Sequence, residues 1–283
     1  MILKIFIIIL ISILILGSWS FFVEPRRIKI ENVRIKIKNL PPSFQGAKIV
    51  QLSDLHSKDF GEKEKKSLEI LAQLKPDFIF ITGDFIDWKT SNLTSCQEFW
   101  KEISKNYPNR VFGVLGNHEH HHPKFQIVKN LLEESGIKIL NNESIILRRD
   151  EELVYLIGVD DPHENHDDII KAMEQVENDT PKIMLAHSPE IFRRIKSQNI
   201  DLVLTGHTHG GQINIPFITN LFLPVKYDRK YKSGLFEEDS TYLYVNRGVG
   251  TTLLPFRFNA SPEITLIEFN QEVENKPSAA GLK

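Results

Sequence analysis

Five short apolar runs, each ending in a cluster of Asp, Asn or His, constrain this chain more than any other feature it has. Residues 48–52 lead into Ser53-Asp54-Leu55-His56, and residues 78–81 into Thr82-Gly83-Asp84. Residues 111–115 are followed by Gly116-Asn117-His118, residues 183–186 by His187-Ser188-Pro189, and residues 201–204 by Gly206-His207-Thr208-His209-Gly210-Gly211. Apolar runs this short, bounded by Gly and Pro, read as buried strands. The stretches between them space apolar residues as a helix does: Leu68, Leu71 and Leu74 mark a helix over residues 62–74 that Pro76 stops. Further helices are expected around residues 97–105, over 124–134 and 167–177, and around 190–196. Strands are expected near residues 137–140, 145–147 and 154–159, and later over 242–245 and 263–269. Residues 26–38 alternate basic and apolar side chains and read as an exposed or edge strand closed by Pro41 and Pro42. Strand alternating with helix implies an α/β layered fold, whose sites form beyond the carboxyl ends of the strands.

The clusters mix carboxylate, amide oxygen and imidazole, a donor set that suits borderline first-row cations such as manganese, iron or zinc. Asp54-x-His56 and His207-x-His209 each set two ligands two residues apart, so both can face one point from an extended segment or tight turn. Asp54, His56, Asp84, Asn117, His187, His207 and His209 are too many for one tetrahedral zinc and enough for two ions sharing a carboxylate. Each cluster alone has a plainer reading, since Gly-Asp after a strand is often a turn and His187 before Ser-Pro can simply enter a helix. Their ordered recurrence after five strands is what favours a metal centre.

Length and composition narrow the rest. The 283 residues suffice for one large domain or two small ones. Cys96 is the sole cysteine, which excludes an intramolecular disulfide and a Cys-rich metal site; it falls in a predicted helix, away from the clusters, as inert core. Lys+Arg 35 against Asp+Glu 37 leaves none of the basic footprint of a general nucleic-acid binder. Residues 5–23 carry no charge and are dominated by Ile, Leu and Phe. As a helix they extend about 28 Å, close to the thickness of a bilayer's hydrocarbon core. A retained single-pass anchor is the favoured reading, because the run is long for a secretory signal; a cleaved signal peptide with Ser18 or Ser20 near the cut is the competing one. Lys4 precedes the segment, while Arg26, Arg27, Lys29, Arg34, Lys36 and Lys38 follow it, which places the body of the protein in the cytoplasm unless those residues belong to a folded strand.

The series Ser53-Asp54-Leu55-His56, Gly83-Asp84, Gly116-Asn117-His118-Glu119, His187 and Gly206-His207-Thr208-His209 resembles the calcineurin-like metallophosphoesterase superfamily, over about residues 48–269 and with no departure at a ligand position. His187-Ser188-Pro189-Glu190, the extension Gly210-Gly211-Gln212, and Asn246-Arg247-Gly248-Val249-Gly250 followed by Pro262-Glu263 are finer features. With the apolar N-terminus, they resemble a membrane-associated bacterial branch that includes YkuE-type phosphodiesterases and UDP-2,3-diacylglucosamine pyrophosphatases. The resemblance implies a four-layer metallophosphoesterase β-sandwich, two mixed sheets flanked by helices, behind an N-terminal transmembrane helix. The expected division is an anchor over 1–25, a connecting strand and linker over 26–47, the metallophosphoesterase domain over 48–270 and a disordered tail over 271–283. One divalent ion would be held by Asp54, His56, Asp84 and His209, the other by Asp84, Asn117, His187 and His207, with manganese ahead of iron or zinc. His118 matches a motif histidine that is not a ligand, and so is expected to stabilise phosphoryl oxygens or protonate the leaving group. The function implied is a dinuclear phosphohydrolase at the bacterial cytoplasmic (inner) membrane, its specific reaction the hydrolysis of the UDP-2,3-diacylglucosamine pyrophosphate in lipid A synthesis. Phosphodiester or phosphomonoester hydrolysis on soluble esters is the alternative, and a non-catalytic metal-binding membrane scaffold the alternative of another class. The expected partners are the phospholipid bilayer and a nucleotide-linked or other phosphorylated small molecule, with no nucleic acid.

Other residues carry two readings each. Arg247 and Arg257 are expected substrate clamps, since guanidinium grips phosphate bidentately, or else members of salt bridges. His120, His121 and His122 read as solvated loop before they read as ligands. Asp160 and Asp161 either orient a ligand histidine or close a turn. Residues 213–236 set Ile215, Phe217, Ile218, Leu221, Phe222, Leu223 and Val225 beside Lys226, Arg229, Lys230 and Lys232. That segment either packs on the sandwich or rests on an anionic bilayer.

Overall fold

The computed structural model describes residues 1–216, 218–221, 223–226 and 229–271, so Phe217, Phe222 and all but the first residue of the expected tail lie outside the described residues. Its strands, in chain order, are β1 (Lys29–Ile37), β2 (Lys48–Leu52), β3 (Phe78–Thr82), β4 (Val111–Val114), β5 (Lys138–Ile139), β6 (Glu143–Arg149), β7 (Glu152–Gly158), β8 (Lys182–Leu185), β9 (Leu202–Thr205), β10 (Gly234–Glu238), β11 (Thr241–Val245) and β12 (Glu263–Gln271). They form two sheets, ordered β1-β12-β2-β3-β4-β5 and β10-β11-β9-β8-β7-β6. Both are mixed: β2, β3, β4 and β5 run parallel with β12 antiparallel to β2, and β7, β8, β9 and β11 run parallel with antiparallel partners at both edges. Strand β1 is the edge of the first sheet, paired in parallel with β12, as its alternating pattern predicts.

Burial explains the layering. The inner faces interdigitate through Phe80, Phe112, Leu156, Ile183 and Leu204. The helices are α1 (Ile2–Ser18), α2 (Glu62–Leu74), α3 (Leu93–Asn106), α4 (Asn117–His121), α5 (Phe125–Glu134) and α6 (Ile169–Met173). Leu71, Trp100 and Leu132 from α2, α3 and α5 cover the outer face of the first sheet. Ala172 of α6 and Ile191 and Phe192 of a tight 3₁₀ turn, Pro189–Arg193, cover that of the second. The result is the expected four-layer sandwich, because a strand apolar on both faces needs cover on both sides.

Three elements differ from expectation. The helix expected over 167–177 stops at Met173, since only Ala172 among its five residues is buried. The stretch expected as helix at 190–196 is the 3₁₀ turn instead: Pro189, Glu190, Ile191 and Phe192 are buried in succession, which no amphipathic α-helix permits. Strand β10 was hidden inside the apolar-basic segment. It pairs with β11 across Asp239 and Ser240, both at positive φ (51° and 65°), the backbone of a tight hairpin turn.

At the N-terminus, α1 continues through a π-helical turn, Trp19–Val23, and the run Ile2–Arg26 is long and apolar enough to cross a membrane. None of the α1 side chains is buried.

Candidate metal centre

Parallel neighbours end on the same edge of their sheet, so β2, β3 and β4 deliver Asp54, His56, Asp84, Asn117 and His118 to one rim, and β8 and β9 deliver His187, His207 and His209 to the rim facing it. All seven expected donors meet there. His187 Nε2 lies 3.3 Å from Asp84 Oδ2, 3.1 Å from Asn117 Oδ1 and 3.1 Å from His207 Nδ1. His56 Nε2 lies 3.0 Å from His209 Nε2 and 3.5 Å from Asp84 Oδ2, and His209 Nε2 is 3.4 Å from Asp54 Oδ1. Asp84 Oδ2 therefore stands between two groups of donors, one with His56, His209 and Asp54, the other with His187, His207 and Asn117. The ring of His118 faces the same oxygen from 3.9 Å.

The backbone is bent to make this possible. Asp54, His56, Asp84, His207 and His209 all have positive φ (47°, 42°, 51°, 69° and 51°). Such conformations are uncommon away from glycine and cluster at functional sites, where they cost ~1–3 kcal/mol each. Five side-chain and main-chain contacts set the orientations. His187 Nδ1 donates to Thr82 O (2.8 Å) and His207 Nε2 to Pro224 O (2.7 Å), which leaves the other nitrogen of each ring pointing inward. Asp54 accepts from Ser53 Oγ (2.6 Å) and from the His207 amide. His118 Nδ1 accepts from the Trp88 amide (3.2 Å), which places the proton of a neutral ring on the inward Nε2.

Charge follows geometry. Burial alone would raise Asp84, but the His187, His118 and His56 imidazoles hold its carboxyl well below the usual range. Burial pushes Asp54 up to about 6. Burial also pushes His56, His207 and His209 well below the ordinary histidine value, leaving neutral rings with lone pairs. His187 is the exception: burial opposes its charge, yet the Asp84 carboxylate raises it well above the ordinary value. Its Nε2 faces three acceptors, Asp84 Oδ2, Asn117 Oδ1 and His207 Nδ1.

Glu119 had no expected role beyond its place in a motif. Its carboxylate accepts from the amides of Gly116 (2.9 Å), Asp84 (3.0 Å) and Ile86 (3.1 Å), tying the ends of β3 and β4 together, while burial pushes it up to about 8. The signal was legible as an acidic residue three positions after Gly116, which closes the first turn of α4.

The remaining candidates sit elsewhere. The Arg257 guanidinium is fully buried and donates to the carbonyls of Arg247, Gly248, Gly250 and Ala260. Burial pushes it down to about 10, so it stays charged at neutral pH. Arg247 pairs with Glu31 and Glu263. Both arginines are thus turned to protein groups, the salt-bridge reading in the case of Arg247. His120, His121 and His122 are not solvated loop as a group. His120 bonds Asp160 (2.7 Å), His122 is buried on Thr90 O (2.9 Å), and only His121 is exposed. Asp160 thereby meets His120 and no ligand histidine, and Asp161 closes a turn through the amides of His163 and Glu164. In the 213–236 segment, Leu223 and Val225 pack inward while Ile213, Ile215 and Ile218 stay exposed. Buried Cys96 has its thiol pushed up to about 12 by burial, consistent with inert core.

A two-sheet sandwich with paired Asp/His/Asn donor groups at facing strand ends defines a candidate dinuclear metal centre. Residues 47–211 match the calcineurin-like phosphoesterase family, and the chain belongs to it: a metallophosphoesterase, a hydrolase of phosphoester bonds. It is 33% identical to the metallophosphoesterase YkuE of Bacillus subtilis over 88% of each chain. It is 29% identical to phosphodiesterase YaeI of Escherichia coli, covering 78% of this chain and 81% of that one. A transmembrane protein with metallophosphoesterase domain from Danio rerio is 30% identical over 86% of this chain and 57% of its own length.

Proposed function

We propose that the chain is a membrane-anchored, two-metal phosphodiesterase whose substrate presents a phosphodiester or pyrophosphate at the bilayer surface. The observation that carries this is Asp84 Oδ2, placed 3.5 Å from His56 Nε2 and 3.3 Å from His187 Nε2 and so positioned to be shared. Asp54, His56, Asp84 and His209 would hold one ion, and Asp84, Asn117, His187 and His207 the other. The donor chemistry fits: inward lone pairs, two carboxylates and one amide oxygen converge, with outward ring nitrogens on carbonyls at His187 and His207. A bound pair of divalent ions (manganese, or iron or zinc) supplies Lewis-acid charge and makes a water nucleophilic near neutral pH. Within the chain, His118 presents Nε2–H to the phosphoryl or departing oxygen, and the Trp88 amide holds that tautomer. Glu119 fixes the loops that carry Asp84 and Asn117. The chain has no need of a covalent phosphoenzyme.

The anchor, residues 1–25, puts this centre beside lipid, and Arg26 and Arg27 after it favour a single pass through the bacterial inner membrane with the catalytic body in the cytoplasm. The most specific substrate reading is the pyrophosphate of UDP-2,3-diacylglucosamine, cleaved to a lipid phosphate and UMP. YaeI, a relative named as a phosphodiesterase, favours diesters more broadly. Full-length protein assayed on bis-p-nitrophenyl phosphate and on UDP-2,3-diacylglucosamine, with manganese or with chelator, tests both. Manganese-dependent turnover of the diester is expected, and kcat/KM at least tenfold higher on the lipid-linked pyrophosphate supports the specific reading. Turnover that survives chelation overturns the metal mechanism.

A further inference from the structure

The loop of residues 251–256 leaves the metal centre directly. Val249 N donates to Ser53 O (3.0 Å) and Gly250 N to Asp54 O (2.7 Å). Gly248 sits at φ 71°, where a Cβ would meet Asp54 Cβ at 2.5 Å, so this close approach needs glycine. Three residues beyond Gly250, Leu253 is 89% exposed with φ 58°, and Leu254 is 58% exposed. A leucine in the left-handed region is a strained outlier, and strain kept at an exposed apolar tip points to a role outside the core. Gln212 holds the tip in place: its Oε1 accepts from Thr252 N (2.9 Å), and its Nε2 donates to Thr252 O (2.9 Å) and Leu254 O (3.1 Å).

The same loop grips the apolar helix. Phe256 packs edge-on against Phe21 with centroids 5.0 Å apart, and Arg257 N donates to Ser20 O (2.9 Å). Buried Glu24 accepts from Ala260 N (3.0 Å) and Ser261 Oγ (3.2 Å). The helix base is therefore bolted to the loop, and two residues of chain keep Leu254 within about 7 Å of Phe256. A cavity of about 320 Å³ has Pro25 of the helix base, His56 of the centre, Lys58, Lys63, Gly250 and Thr251 in its wall.

We propose that the 251–256 loop and the base of the N-terminal helix form one rim seated in the bilayer surface, and that the cavity behind it admits the phosphoester head group of a membrane amphiphile to the metal centre. The occupant follows from continuity: the exposed apolar surface of α1 runs on to Phe22, and exposed Leu253 and Leu254 join it through Phe256, which packs on Phe21. The wall sets Lys58 and Lys63 beside Asp59, Glu62 and Glu64, so net charge does not draw the head group in, and its entry rests on the path from the rim to His56. This rests on the anchor reading above.

The test places single cysteines in the full chain, where buried Cys96 stays unlabelled, in nanodiscs of phosphatidylethanolamine and phosphatidylglycerol. Spin labels at Leu253→Cys, at Ile9→Cys in the helix and at Ile127→Cys on exposed α5 are read by collision with oxygen against a water-soluble nickel complex. Lipid depth at positions 9 and 253, with water at 127, is expected. Lipid at 9 with water at 253 overturns the rim alone, and water at 9 overturns the anchor and the rim together. In the same discs, Leu253→Ser/Leu254→Ser should lower about tenfold the ratio of hydrolysis of hexadecyl p-nitrophenyl phosphate to that of soluble bis-p-nitrophenyl phosphate. An unchanged ratio overturns head-group entry at this rim.

Discussion

On the side of the centre formed by Asn117, His187 and His207, each imidazole rests its outer nitrogen on a main-chain carbonyl, at 2.8 Å for His187 and 2.7 Å for His207. On the side formed by Asp54, His56 and His209, the outer nitrogen of His56 has no hydrogen-bond partner among the described residues, and that of His209 meets the Arg257 guanidinium at 3.3 Å. The first side fixes ring orientation before a cation arrives. The second relies on the charge of Asp54, and all three of its residues have positive φ, 47°, 42° and 51° at Asp54, His56 and His209, against His207 alone on the first. The two differ in proton content as well. At neutral pH the Asp54 side is already in its binding form, an ionised carboxylate with neutral imidazoles, whereas the His187 side holds a proton that a cation must displace.

Asp84 is the one residue both sides share, so its loss should erase the comparison altogether. Asp84→Asn is expected to lower kcat by ~10³-fold or more, since several kcal/mol of charge stabilisation go with it. Metal content should fall from two ions per chain toward one or none. Two ions retained in the variant, by elemental analysis, would show that the sides are independent and that Asp84 bridges nothing.

His118 Nε2 stands 3.9 Å from Asp84 Oδ2, farther than the imidazoles of His56 and His187, and its removal tests whether chemistry separates from binding. His118→Ala should lower kcat by ~10²-fold on a diester, typical for a proton-donating group, with both ions still bound and KM little changed. Parallel loss of one ion would move His118 into a donor group and redraw the division.

How much of this could be read from the sequence differs by kind of contact. The donors were legible because each follows an apolar run whose burial is dictated by its own composition, so strand ends bring them together with little help from elsewhere. Strand β10 escaped because its half-buried alternation begins at the end of a stretch rich in Ile, Leu, Phe and Lys and runs on into Glu237 and Glu238. The orienting groups were largely invisible, for Thr82 O, Pro224 O and the Trp88 amide are main-chain atoms, present at nearly every residue and distinguished only by the fold. Arg257 misled for a related reason. Next to a glycine-rich loop a guanidinium suggests phosphate, but here the loop's own carbonyls need the donors, and the helix base at Ser20 and Glu24 seals them from solvent.

The proton asymmetry gives the finest test. Calorimetry of chelator-stripped, full-length protein at about pH 7, in buffers of different ionisation enthalpy, should count close to one proton released on filling the His187 side and close to none on the Asp54 side. Equal release at both steps breaks the comparison. Acid brings the second side in. The His187 side weakens throughout the range below its own raised value, and a carboxylate raised to about 6 is protonated below that pH, so the Asp54 side follows only as pH falls through 6. Ser53→Ala sharpens the point. The Ser53 hydroxyl donates to Asp54 Oδ2 at 2.6 Å and so stabilises the anion; a bond of this kind to a buried charge contributes ~1.5–3 kcal/mol, and one pKa unit is worth about 1.4 kcal/mol. Its removal should move the acid midpoint of the Asp54 side up by about one unit and leave the proton count on the His187 side unchanged, because on that side Ser53 reaches only the Thr82 carbonyl, at 3.3 Å, which keeps its closer bond from His187 Nδ1. A midpoint that stays put would mean that the bound cation, and not the hydroxyl, sets the charge of Asp54.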